Sequence, residues 1–377
     1  MQIVDRLMRN AINIPGWSTK RKIVVFESDD WGSIRMPSKE NRDKLINAEF
    51  DFSNQPFNLY DALESNDDLT ALFEVLKNHK DATGRHPVFT AVSIVANPDF
   101  EKTKSDNFQT YHYEPFTDTL KRYPNSENVL EYYKEGISER LFVPIFHGRE
   151  HLNTQRWLRA LKSGNKAVLK TFEQGVTAVH IGPNNEFLGD FQAAFDLDIP
   201  EDVNYMKVVL TEGLDLFEKL WGYKSPYFVA TNGPFNNSLE KVLADNGVKY
   251  ILGERLQNEP LGNGNYKKHF HYIGLKNNLN QIYLTRNAMF EPSIFSNGNN
   301  IQPVEKCLKS IERAFRWGKP ASISTHRLNY IGRIDENNRS NNLKLFDELL
   351  RAIIKKWPEV EFMTSIELGE LITKSKK

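Results

Sequence analysis

Short apolar runs alternate along this chain with longer stretches in which apolar side chains recur every three to four residues. The runs at 23–26, 88–95, 142–146, 178–181, 250–252, 281–285, 321–324 and 360–363 predict strands. Between them, 67–79, 127–135, 154–174, 205–221, 238–246, 304–317 and 342–357 carry helical periodicity. The last is the best marked: Leu343, Leu345, Leu349, Leu350, Ile353 and Ile354 fall at core spacing, and Trp357 followed by Pro358 ends it. This alternation predicts an α/β fold, a single distorted (β/α) barrel over residues 1–377. It would have seven or eight mostly parallel strands and long loops at its C-terminal face. Segments 97–115, 182–202 and 254–271 have no clean period and read as loops over a pocket. Ile3, Val4, Leu7, Met8, Ala11 and Ile12 fall at helical spacing, so residues 1–20 read as a capping helix, with a membrane-surface helix as the other reading.

Composition narrows the field. A chain of 377 residues buries a core without needing disulfides or a structural metal. Its 49 basic residues balance 49 acidic ones, which argues against a nucleic-acid or anionic-membrane partner held by bulk charge. The single cysteine, Cys307, excludes a disulfide within the chain and any multi-cysteine zinc site. No apolar run approaches the ~18 residues of a membrane span. The opening residues show neither the apolar centre nor the cleavage site of a leader, and the expected location is the cytoplasm. Oligomeric state is not legible.

Three features fall just past predicted strands, where a barrel carries its active site. The first is Asp29-Asp30, following the strand 23–26. Adjacent carboxylates repel, and a structure that keeps both ionised usually supplies a cation; an Asx-turn or helix N-cap is the plainer reading. The second is His147 and His151, following 142–146. If this segment opens a helix, the two share a face at a spacing that suits one zinc ion. The acid beside them, Glu150, directly precedes the second histidine, so this is not a His-Glu-x-x-His site. The third is His326, after 321–324, which alone fits either a core histidine or a general acid. Independent strands would aim all five groups at one pocket. His79, His86, His112, His180, His269 and His271 lack partners at informative spacing and read as structural.

Paired aspartates, then two histidines separated by three residues, then a late histidine: this order resembles the polysaccharide deacetylase family with NodB homology. The resemblance spans Asp29 to His326. It implies a distorted barrel holding one divalent metal, usually zinc, with Asp30, His147 and His151 as ligands. It further implies Asp29 as the base and His326 as the acid, acting on an acylated sugar or glycan. The sequence also departs from the family. Its Arg-x-Pro-aromatic segment is nearest to Lys224-Ser225-Pro226-Tyr227, so the arginine's role falls to Lys224 or moves to Arg286. Gly148 stands where Ser or Thr is usual, and no fourth motif is recognisable. Arg286, Glu291 and Arg327 are candidates to orient Asp29 or hold His326 charged. Trp31 and Tyr227 are candidates to stack on sugar faces, or are core aromatics. Arg149 and Glu150, on a helix, would point away from the metal and be solvated or paired. The competing readings are an amide hydrolase for a small non-sugar substrate, a glycosidase, and a carbohydrate-binding barrel without catalysis. A glycosidase sets its two carboxyls apart across a sugar, which fits adjacent aspartates poorly.

Overall fold

The computed structural model describes residue 10 and residues 13–177, 191–295 and 302–375. The predicted strand 178–181, His180 and all six apolar positions that predict the N-terminal helix lie outside these residues, as do residues 182–190 of the predicted loop 182–202. Residues 13–20 carry no helix.

Nine strands form one sheet: β1 (Lys22–Trp31), β2 (Phe89–Ile94), β3 (Phe142–Gly148), β4 (Tyr227–Phe228), β5 (Tyr250–Leu252), β6 (Ile282–Leu284), β7 (Ala288–Met289), β8 (Ala321–His326) and β9 (Val360–Phe362). Their order is β6-β5-β4-β3-β2-β1-β8-β7, with β9 paired to the first residues of β1, and every pairing is parallel. The edge strands β6 and β7 are separated in sequence by Thr285, Arg286 and Asn287 alone. Three residues bridge at most about 14 Å, so the two edges lie side by side and the sheet curls into a distorted barrel with a seam. Two strands beyond the predicted set, β4 and β7, have two residues each and are too short to show a period.

Both faces of the sheet are buried, as parallel strands require. Along β1, Val24 and Phe26 face a layer that includes Leu69, Leu72, Phe346 and Leu350. Ile23 and Val25 face inward with Val92, Ile145 and Leu284, and with Leu368 and Ile372 of the helix Ser365–Ser375. That helix covers the end opposite the carboxylates. Elsewhere the predicted helix 154–174 is two helices, Thr154–Lys162 and Lys166–Glu173. Gly164 between them takes φ 71°, and Asn165 caps the second by accepting from the Ala167 and Val168 amides. The predicted loop 254–271 is largely an antiparallel hairpin, Leu256–Gly262 against Asn265–Phe270. Among the described residues no helix is long and apolar enough to cross a membrane.

Candidate active site

The site is built at the end of β1, where alternation breaks. Glu27 and Asp29 continue the inward face of Ile23 and Val25, as period two demands. Asp30 should then point outward, yet it has φ 79° and the pairing with β2 slips between Ser28 and Trp31. This bulge turns Asp30 back, so that neighbouring carboxylates serve one pocket. Aspartate tolerates the left-handed conformation better than most residues.

His147 is an inward residue of β3 and His151 lies in the short turn before the helix Thr154–Lys162. The histidines therefore do not share a helix; a sharp turn at Gly148 brings them together. Gly148 has φ 148°, and a Cβ there would sit 3.1 Å from the Glu150 carbonyl oxygen, which explains the absence of a side chain. Asp30 Oδ1 is 3.0 Å from His151 Nε2 and 3.7 Å from His147 Nε2. His147 Nδ1 donates to the Val229 carbonyl at 2.7 Å, which leaves the Nε2 lone pair buried and unpartnered, facing Asp30. Burial, opposed by Asp30, pushes His151 down to about 4, so it is neutral at pH 7. One atom from each of Asp30, His147 and His151 lies within 4.8 Å of the others. Ligand atoms on a tetrahedral zinc at ~2.0–2.1 Å stand about 3.3 Å apart, and the donor set fits such an ion. Asp30 Oδ2 accepts from Arg35 at 3.2 Å, and Arg35 also lies 3.6 Å from Asp61. Burial would raise the Asp30 carboxyl, but His151 and Arg35 outweigh it and hold it well below its usual range.

Asp29 is gripped through both oxygens by Arg286, each bond 2.6 Å. Burial opposes its ionisation, yet Arg286 prevails and its carboxyl stays below the ordinary value. Arg286 comes from the seam between β6 and β7, and its Nε donates to Glu27 Oε2 at 2.5 Å. His326, at the end of β8, places Nε2 3.7 Å from Asp29 Oδ2 and Nδ1 2.6 Å from Glu291 Oε1. Glu291 in turn accepts from Asn329 at 2.7 Å. Burial alone would lower His326, but the Glu291 carboxylate, helped by Asp29 and Asp30, pushes it up to about 10.

Of the remaining candidates, Arg286 and Glu291 touch the groups they were expected to serve, whereas Arg327 does not. It is wholly buried and pairs with Asp61 at 3.1 Å and Glu64 at 2.8 Å, a layer beneath Asp30. Trp31 and Tyr227 are also wholly buried, so neither offers a face to a sugar. Trp31 packs edge-on against Phe142, and Tyr227 donates to Glu27 at 2.9 Å. Lys224 is a surface residue 3.9 Å from Glu218. Arg149 and Glu150 are buried rather than solvated and pair with one another at 2.7 Å. Sequence reasoning missed Arg35, Glu27 and Phe57. Glu27 had a signal, since it lies two residues before Asp29 on the same strand face. Phe57 had none: its half-buried ring meets His326 edge-on at 5.2 Å, and the Arg35 guanidinium lies over the same ring at 5.2 Å from its centroid.

No family model matches the sequence, and no curated protein does. Solved structures with a similar chain path include a candidate polysaccharide deacetylase from Mycobacterium smegmatis, 10% identical, with a TM-score of 0.45 over 96% of this chain and 94% of that one. A candidate glycoside hydrolase/deacetylase from Parabacteroides distasonis is 10% identical, with a TM-score of 0.48 over 95% of this chain and 73% of that one. The allantoinase Puue is 10% identical, with a TM-score of 0.44 over 94% and 91%.

Proposed function

We propose that this protein is a metal-dependent hydrolase that removes an acyl group, acetyl first, from an N- or O-acylated sugar or glycan. One observation carries the reading: two separately held acid–base groups, Asp29 and His326, stand 3.7 Å apart beside a buried set of three metal-ligating atoms. Asp30, His147 and His151 would hold the ion, and zinc suits a carboxylate with two imidazoles. When bound, such an ion lowers the pKa of water and polarises an acyl carbonyl.

The protein's own groups do the rest. Asp29 keeps a lone pair on each oxygen after Arg286 has taken one, so it accepts the proton of the attacking water. His326, charged through Glu291, delivers its Nε2 proton to the leaving amine or alcohol. A binding barrel has no use for either group held in this state, and a glycosidase has no use for the buried histidine pair.

The test combines metal content with acetate release from N-acetylated oligosaccharides, for the wild type, His147→Ala and Asp29→Asn. The reading expects about one equivalent of divalent metal, lost in His147→Ala. In Asp29→Asn the metal stays and turnover falls by at least ~100-fold. A folded wild type that takes up no metal when offered it would overturn the mechanism. Metal uptake with hydrolysis confined to small non-sugar amides would move the substrate, not the chemistry.

A further inference from the structure

Glu27 has no part in the chemistry just described, yet it is among the most expensively placed groups in the molecule. It is a carboxylate inside a barrel, only 2% exposed. Burying it is unfavourable unless its oxygens are fully bonded to strong donors. Here they are: Oε1 accepts from Tyr227 at 2.9 Å and from Ser365 at 2.5 Å, and Oε2 accepts from Arg286 Nε at 2.5 Å. Those donors come from β4, from the helix Ser365–Ser375, and from the seam. Three separate parts of the fold thus converge to hold one carboxylate in one position.

The consequence falls on Arg286. Its side chain is long and flexible, and it issues from the three-residue bridge between the edge strands, not from the interior of an element. A guanidinium offers two useful edges, one at Nε and one between the two terminal nitrogens. Glu27 takes the Nε edge. The terminal pair is thereby turned toward Asp29, two residues further along the same strand face, and meets both of its oxygens at 2.6 Å. Arg286 Nη1 also donates to Ser324 Oγ at 3.1 Å, but a hydroxyl is a weak anchor beside a carboxylate.

We infer that Glu27 is a positioning residue: it fixes which edge of Arg286 faces Asp29, and so fixes the orientation of the base. The inference rests on the role proposed for Asp29. The hydrogen bonds of Glu27 go to Tyr227, Ser365 and Arg286, and none goes to Asp30, His147 or His151.

The test is Glu27→Gln, which keeps the shape and can still accept from Tyr227 and Ser365 but replaces the carboxylate oxygen at the Nε edge of Arg286 with an amide NH2, leaving Asp29 as its charged partner. The readouts are kcat and KM on a substrate the wild type hydrolyses, metal affinity by chelator competition, and the crystal structure of the variant. The inference expects kcat to fall about 10- to 100-fold, with KM and metal affinity within about twofold. It also expects Arg286 to have left its two-oxygen contact with Asp29. Adding Glu27→Gln to Arg286→Met should lower kcat no further, because the two act through one contact. Unchanged kcat, or Arg286 still bonded to both Asp29 oxygens in the variant, overturns the inference. A loss of kcat that is equal in the Arg286→Met background also overturns it, as that is the signature of a structural role. If the wild type hydrolyses no acyl substrate, the proposed function fails, and the orientation of Arg286 in the variant crystal still decides this point.

Discussion

Replacing Glu291 by Gln should convert His326 from a permanent to a conditional acid. The carboxylate lies 2.6 Å from His326 Nδ1 and is itself 2% exposed, so solvent screens the pair little. It is the main reason that His326 is pushed up to about 10 against the lowering effect of burial. Glutamine preserves shape and removes the charge, and the ring should fall back to roughly 6.5 or below. At pH 8 a group titrating near 10 is almost wholly protonated, whereas one near 6.5 is protonated to only ~3%. The ratio of wild-type to variant kcat should therefore be small near pH 5.5 and grow to about 30-fold at pH 8.

Stability should follow the same titration. A raised folded-state value contributes stability that is complete below the unfolded value near ~6.5 and is lost as pH rises toward 10. The shift corresponds to at most ~5 kcal/mol, and a few kcal/mol once partial exposure of the ring is counted. Urea unfolding of both proteins between pH 5.5 and 10 should show their stabilities converging with rising pH. A kcat ratio that is constant across pH would refute the reasoning, since Glu291 would then orient the ring without holding its charge. A stability difference that widens toward pH 10 would refute the sign.

Two further predictions concern the scaffold beneath the site. Gly148→Ala places a Cβ 3.1 Å from the Glu150 carbonyl oxygen at φ 148°, and should destabilise the fold by about 1–3 kcal/mol. Because the same turn carries His147 and His151, chelator competition should show weaker metal binding as well; unchanged affinity would mean that the turn does not set the ligand geometry. Arg327→Met takes the nearest cation from two buried carboxylates, leaving Asp61 only Arg35 at 3.6 Å and Glu64 only the Tyr133 hydroxyl and the Gly32 amide, and should cost about 3–5 kcal/mol, read by denaturant unfolding. A loss under ~1 kcal/mol would show that the network is hydrated and not dry.

Much of the site was legible in the chain because its groups follow strands, and strand ends can be read from hydrophobic runs. Asp29, His147 and His326 each continue the inward face of a predicted strand, so period two alone aims them at the barrel's mouth. Glu291 and Arg286 were candidates from the sequence because they follow the predicted strand 281–285, yet Arg327 was an equal candidate, and only the structure separates them. Periodicity could not foresee Asp30, because a bulge and a left-handed backbone reverse the direction that alternation assigns to it. The histidine pair was read with the right partners on the wrong scaffold. Spacing of four is shared by a helix and by a sharp glycine turn, and only the backbone tells them apart.

Burial decided the rest. Trp31 and Tyr227 lie beside chemical groups in sequence, but residues from β3 and the helix Ser365–Ser375 enclose the space around them, and nothing local records that. Phe57 meets His326, and Asp61 meets Arg327, across more than 260 residues, and Arg35, though only five residues from Asp30, is turned onto it by the loop that follows β1. The chain by itself determined seven of the nine strands of the sheet and which way most of their side chains face, since those depend on neighbours in sequence. The tertiary structure alone decided which charges meet, because a charge is assigned its partner by the closure of the sheet and not by its position in the chain.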